Sequence, residues 1–216
     1  MQQKNRISRK EKAVQTKNKI YTSAEQLFNK HGIENVNVDD IVKQAGVAKG
    51  SFYVHFESKD ALIVMLINDY VKKVDTDYKT YLESLPTDML PREVFLSLVG
   101  KIADVITESI GYENMKILYR IQIGKDISDS AAINYGRELY KMFFKIIDSG
   151  ISQRRFHSDL SADETAKHFV MAYRGVVYEW CVRYPEVNLK DLALRHFRIL
   201  LAGIKGEDDG DTANLI

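Results

Sequence analysis

The sequence predicts an all-α protein of about nine helices, with an N-terminal helix-turn-helix domain followed by a larger helical domain. Three observations lead there. Apolar residues recur at three- and four-residue spacing through most segments, with no sustained alternating run. Only three prolines occur in 216 residues, and proline is the strongest helix breaker. Glycines stand where the periodic runs stop, at Gly32, Gly46, Gly111, Gly124 and Gly150.

Residues 1–9 are polar, basic and aperiodic, and are expected to be disordered. A first helix is expected from Lys10 to His31, with Ile20, Ala24, Leu27 and Phe28 on one face and Gly32 at its end. Asn37 then offers an N-cap, because its side-chain oxygen can accept from the open amides of a first turn. Asp39 and Asp40 sit where the helix dipole favours negative charge. Val38, Ile41, Val42 and Ala45 keep helical spacing up to Gly46, and Val47 can fill the angle that follows. A second short helix is expected from Ala48 to His55, with Ser51, Tyr53 and His55 outward and Phe52 and Phe56 inward. Two such helices across a glycine-bearing turn, at about 38–56, form a helix-turn-helix, whose second helix can enter the DNA major groove.

A long stripe of Leu62, Met65, Leu66, Tyr70, Val74, Tyr78, Tyr81 and Leu82 predicts a helix over Lys59–Ser84, and Pro86 and Pro91 bracket a loop. Further helices are expected at Arg92–Ile110, Glu113–Ile123 and Ser128–Ser149, the last ended by Gly150. A polar connector leads to two closing helices, Ala162–Arg183 and Leu189–Ile204, each with a wide apolar band. The domain expectation is 1–60 for the N-terminal unit, 61–206 for the C-terminal unit and 207–216 for an acidic flexible tail.

Formal net charge is +1, but residues 1–30 carry eight lysines and arginines against Glu11 and Glu25. A basic end beside a helix-turn-helix is the electrostatic footprint of a DNA-binding protein. The tail, with Glu207, Asp208, Asp209 and Asp211, has the opposite sign. A single cysteine, Cys181, rules out an internal disulfide and a multi-cysteine zinc site. No signal peptide is visible. No window approaches ~18 unbroken apolar residues, since even Val94–Ile110 is interrupted by Lys101 and Asp104. A cytoplasmic protein without a membrane partner is expected.

Gly32, Val38, Ile41, Ala45-Gly46-Val47, Lys49-Gly50, Tyr53, His55-Phe56, Lys59 and Leu62 stand in a recognisable order and spacing. The segment resembles the DNA-binding domain of TetR-type (TetR/AcrR) transcriptional regulators. Three positions depart from that pattern: Asn37 where Thr is frequent, Val42 where Ala is usual, and Ala48 where Ser usually caps the recognition helix. The turn from Phe156 to Asp159 is also similar to one that precedes the penultimate helix in that family. The resemblance implies a homodimeric regulator joined through its two C-terminal helices. Such a protein binds a pseudo-palindromic double-stranded DNA operator and is released, as a repressor, by a small and largely apolar effector.

On the DNA side, Lys49 can reach a guanine edge or a phosphate, and Ser51, beside Gly50, can bond either. Tyr53 and His55 match family positions that touch the DNA backbone, although a packing role is open for both. Lys59 can pair with phosphate at the start of the next helix, and Asn37 completes the set. For the dimer, Phe169, Tyr173, Val177, Trp180, Phe197 and Leu201 lie on the two final bands, which can equally pack on their own core. For the effector pocket, the resemblance points to some of the aromatic and sulfur-bearing residues of the C-terminal domain, Tyr112, Met115, Tyr119, Tyr140, Phe143, Phe144 and Tyr178, with Arg120, His168 and Arg174 as polar groups; residue by residue, an ordinary core is the simpler reading.

Two other classes stand beside this reading. One is an architectural or scaffold DNA-binding protein with no effector, distinguished by ligand-independent operator affinity. The other is an enzyme on a helical fold. The five histidines form no i, i+4 pair, and there is no phosphate loop and no G-x-S-x-G. Cys181 lies in an apolar helical band, where an inert thiol is the simpler reading. No catalytic residue, metal or cofactor is expected.

Overall fold

The computed structural model describes residues 8–124 and 135–206. It contains helices α1 (Arg9–His31), α2 (Val38–Ala45), α3 (Lys49–His55), α4 (Lys59–Glu83) and α5 (Pro91–Val105). A π-helical turn (Ile106–Ile110) follows, then α6 (Tyr112–Gly124), α7 (Glu138–Ser152), α8 (Ala162–Arg183) and α9 (Leu189–Gly203). No strand occurs among the described residues, only an isolated bridge between Phe156 and Lys205. The chain divides into two compact units, Met1–Tyr70 and Val71–Ile216, so the division falls inside α4.

In the first unit, helix starts follow the caps. Ser8 caps α1: its hydroxyl accepts from the Glu11 amide at 3.1 Å, and its own amide donates to the Glu11 carboxylate at 2.7 Å. The helix therefore starts one residue before Lys10, and Ser8 and Arg9 leave the stretch expected to be disordered; the rest of that stretch, 1–7, lies outside the described residues. Asn37 and Asp40 form the same reciprocal box at the start of α2, at 3.0 and 2.9 Å. Gly46 ends α2 at φ 65°, ψ 38°, a left-handed conformation that costs glycine nothing. Ile20, Ala24, Phe28, Ile41, Val42, Phe52, Phe56, Leu62 and Ile63 are buried and make one small core. The unit reaches past residue 60 because the first turns of α4 belong to that core. Farther along, the Tyr21 hydroxyl donates to Asp69 at 2.9 Å.

The second unit has an aromatic centre. Phe95 on α5 meets Phe143 on α7 (4.9 Å between ring centroids), Phe169 on α8 (5.1 Å) and Phe197 on α9 (5.6 Å). The first two contacts are edge-to-face, the arrangement favoured by the ring quadrupoles. Asp75 on α4 is buried, and Arg137 at the head of α7 grips it with Nε at 3.0 Å from both oxygens and Nη2 at 2.7 Å.

Two expected helices differ here. The run over Arg92–Ile110 is α-helical only to Val105 and closes as a π turn before Gly111. The helix expected over Ser128–Ser149 begins at Glu138 and continues through Gly150 to Ser152; residues 128–134 lie outside the described residues. Gly150 does not stop the helix. It is there for closeness: a Cβ at this position would overlap the buried Phe156 ring. Its carbonyl accepts the Arg155 and Phe156 amides at 2.9 and 3.0 Å as the chain turns back.

Candidate nucleic-acid interface

Helix α3 is short and amphipathic, and its two phenylalanines set its orientation. Phe52 is fully buried, Phe56 is 4% exposed, and their rings stand 5.6 Å apart. With that face fixed inward, the opposite face must point to solvent. Lys49, Gly50, Tyr53 and Val54 are exposed there, and Ser51 and His55 are half-buried. Tyr53 is edge-on to Phe52 at 5.3 Å yet 54% exposed, so it packs and faces outward at once.

Ala48 stands at the N-cap of α3 with extended backbone (φ −71°, ψ 149°) and makes no side-chain cap bond. The adjacent Lys49 reaches across the turn to Asp39 on α2, at 2.9 Å from each carboxylate oxygen. That hydrogen bond and the carboxylate's charge hold the Lys49 ammonium pKa above its usual value. Asn37 is committed to the α2 cap described above.

Lys59 has an internal partner. Its ammonium donates to the Ile33 carbonyl at 2.6 Å and lies 5.9 Å from the Phe28 ring centre, fastening the turn after α1 to the start of α4. Ser58, just before α4, accepts from the Ala61 amide at 3.1 Å.

Two outward residues escaped the sequence reading. Val54 is 78% exposed; it lies off the Phe52/Phe56 stripe, and that off-stripe position was the available signal. In the sequence Asp39 is simply a helix-dipole residue, since nothing local ties α2 to Lys49 ten residues away.

In the second unit, the structure brings Tyr119, Arg174 and Tyr178 together, the Tyr119 and Tyr178 rings standing 5.7 Å apart, and gives the expected pocket residues different degrees of burial. Met115 and Phe143 are core, Tyr112, Phe144 and Arg174 are half-buried, and Arg120, His168 and Tyr178 are exposed. The Tyr119 hydroxyl donates to the Arg174 carbonyl at 2.9 Å, and burial raises its pKa. The Tyr140 hydroxyl donates to Asp163; its pKa is pushed up to about 12, by burial first and by that carboxylate second.

The six residues expected at a dimer interface are buried within the single chain. Phe169, Tyr173, Val177, Trp180, Phe197 and Leu201 are all 7% exposed or less within the single chain. Tyr173 even donates its hydroxyl to the Val99 carbonyl on α5 at 3.3 Å. These side chains form the unit's own core, which leaves them almost no surface for a second copy. The outward apolar residues on the same helices are Met171, Tyr178 and Val182 of α8 and Ile199 of α9, 45–67% exposed.

Residues 20–66 match the family model described as bacterial regulatory proteins, tetR family. Over 192 residues the chain is 24% identical to the HTH-type transcriptional repressor KstR2 of Mycolicibacterium smegmatis, covering 87% of this chain and 89% of that protein. The fold is similar to that of Thermus thermophilus FadR, a TetR family transcriptional repressor solved with lauroyl-CoA. The TM-score is 0.70 at 17% identity, over 92% of this chain and 100% of that one. It is also similar to Bacillus subtilis FadR solved with stearoyl-CoA, at TM-score 0.64 and 18% identity, over 86% and 98% of the two chains. No helix among the described residues is long and apolar enough to cross a membrane. The matched segment spans the buried face of α1, the whole helix-turn-helix and the start of α4, so this N-terminal part of the chain is similar to the DNA-binding domain of the tetR family of bacterial regulatory proteins.

Proposed function

We propose that the protein is a dimeric repressor that binds a pseudo-palindromic operator and releases it when an effector with a largely apolar body occupies the C-terminal unit. The observation that carries this reading is the face of α3. A seven-residue helix anchored by Phe52 and Phe56 presents Lys49, Gly50, Ser51, Tyr53 and Val54 outward. In that reading Lys49 and Ser51 offer donors to base edges or phosphates, Val54 offers an apolar contact of the kind that a thymine methyl accepts, and Tyr53 and His55 lie along the backbone. Lys59 serves the DNA indirectly, by holding the frame of the helix-turn-helix.

The first unit, to about residue 70, acts as the DNA-binding domain, and the second unit as the effector and dimerisation domain. A second copy is proposed to pack on Met171, Tyr178, Val182 and Ile199, because these are large apolar side chains of α8 and α9 that the chain itself leaves exposed. Two copies place two recognition helices on half-sites about one DNA turn, roughly 34 Å, apart. The effector class is suggested by the FadR proteins solved with lauroyl-CoA and stearoyl-CoA, and by the aromatic density of the second unit. Effector and operator then weaken each other by the same factor.

The test is selection of bound fragments from the source genome, followed by anisotropy titration of the recovered duplex with and without long-chain acyl-CoA. Expected are a two-fold symmetric site, loss of preference at particular positions in Lys49→Ala, and weaker binding with acyl-CoA. A recovered set with no common sequence would overturn the repressor reading in favour of an architectural protein. Affinity unchanged by any acyl-CoA would remove that effector class.

A further inference from the structure

The ion pair between Asp39 and Lys49 is unusual in its position. Lys49 is the first residue of α3 and the only Lys or Arg in that helix. A cation at such a place binds phosphate anywhere along a duplex, and phosphate contacts supply affinity with no sequence information. Asp39 sits in the first turn of α2 with both carboxylate oxygens 2.9 Å from the Lys49 ammonium. Both side chains are more than half exposed, 55% and 67%. An ion pair this open contributes little to folding, so stability gives it no strong purpose. Its electrostatic effect lies outside the protein, on whatever polyanion approaches α3.

Resting on the reading of α3 as the recognition helix, we propose that Asp39 is a specificity-determining positioning residue. It competes with phosphate for the Lys49 ammonium and so suppresses binding to non-cognate DNA. On a non-cognate duplex, Lys49 must leave Asp39 to reach a phosphate, and the uncompensated carboxylate then faces the anionic backbone. On the operator, a base-edge acceptor within reach lets the ammonium bond the base while the carboxylate still neutralises and steers it. The carboxylate therefore penalises both kinds of DNA, and the non-cognate kind more. The neighbouring carboxylate does not supply the same restraint: Asp40 is occupied by the Asn37 amide.

The experiment titrates wild type, Asp39→Asn, Lys49→Gln and the double variant onto the selected operator and a scrambled duplex between 50 and 200 mM salt. Asp39→Asn is expected to bind the scrambled duplex several-fold tighter, with a salt slope steeper by about one, as one more cation becomes free for phosphate. Its operator affinity should rise less, so the operator-to-scrambled ratio falls. In the Lys49→Gln background the same substitution should change the slope little, since the carboxylate then has no cation to hold; a double-mutant cycle isolates this coupling. Asp39→Glu should retain most of the wild-type ratio. An Asp39→Asn protein with the ratio and slope of wild type would overturn the proposal, as would an equal effect with and without Lys49. A wild type that fails to distinguish operator from scrambled duplex would instead overturn the reading of α3.

Discussion

Ala48 and Cys181 show how much can be predicted from one side chain and its surroundings. Ala48 holds the extended backbone of an N-cap, and its carbonyl accepts the Ser51 amide at 2.9 Å, but it has no side-chain oxygen to offer the first turn of α3. Ala48→Ser places a hydroxyl within reach of the Gly50 or Ser51 amide and should stabilise the first unit by roughly 0.5–2 kcal/mol. Thermal melting followed by circular dichroism checks it; a melting temperature at or below wild type would mean that serine meets strain there. Cys181 is half-buried, and burial pushes its thiol up to about 11. A raised thiol pKa favours the neutral form, so at pH 8 only about one molecule in a thousand carries the thiolate. Alkylation by iodoacetamide should be negligible at pH 8 and should accelerate toward pH 11; fast labelling at pH 7 would contradict the buried setting. Lys59 teaches a different lesson. From the chain alone it is a cation at a helix start. In space it is a strut between the Ile33 carbonyl and the Phe28 ring.

At the scale of elements, the junction of α4 with α7 is the place where charge is buried. Asp75 is 5% exposed and Arg137 holds it through three hydrogen bonds. A buried pair is weak evidence for net stability, but removing one partner strands the other. Arg137→Met should therefore destabilise the second unit by about 3–5 kcal/mol, while Asp75→Leu combined with Arg137→Met should recover most of the loss. Urea unfolding of the two variants beside wild type measures both; equal stability of the single variant and wild type would show that water reaches the Asp75 carboxylate. The pair also helps explain where α7 starts. Arg137 precedes Glu138 with extended backbone (φ −63°, ψ 143°), so the helical run expected from Ser128 does not pass through it. Apolar periodicity located the body of α7 but carried no trace of a partner 62 positions away.

For the whole molecule, the question is which apolar surface belongs to one chain and which to two. Val177 is 2% exposed and Ile199 is 67% exposed, although both lie on the two closing helices. Val177→Glu would bury a carboxylate inside the chain's own core at a cost of several kcal/mol, so it should unfold the second unit rather than split a dimer. Ile199→Glu should leave the melting temperature of an isolated chain nearly unchanged, yet yield monomer and weaken operator binding sharply. Light scattering beside operator titration separates the two cases. An Ile199→Glu protein that remains dimeric would place the interface elsewhere.

The all-α class, the helix bodies, the Asn37 cap, the Gly46 turn and the inward set of Phe52 and Phe56 all followed from residue order. Each depends on neighbours three or four positions away, and local sequence encodes such contacts completely. The ends of α7, the partners of Lys49, Lys59 and Asp75, and the role of Phe169, Tyr173, Val177 and Phe197 did not follow. Burial against one's own chain and burial against a second copy use the same apolar residues at the same spacing. Only the positions of α5 and α7, which occupy the wide face of α8 and α9 through Phe95 and Phe143, assign those four to the core and leave Tyr178, Val182 and Ile199 outside.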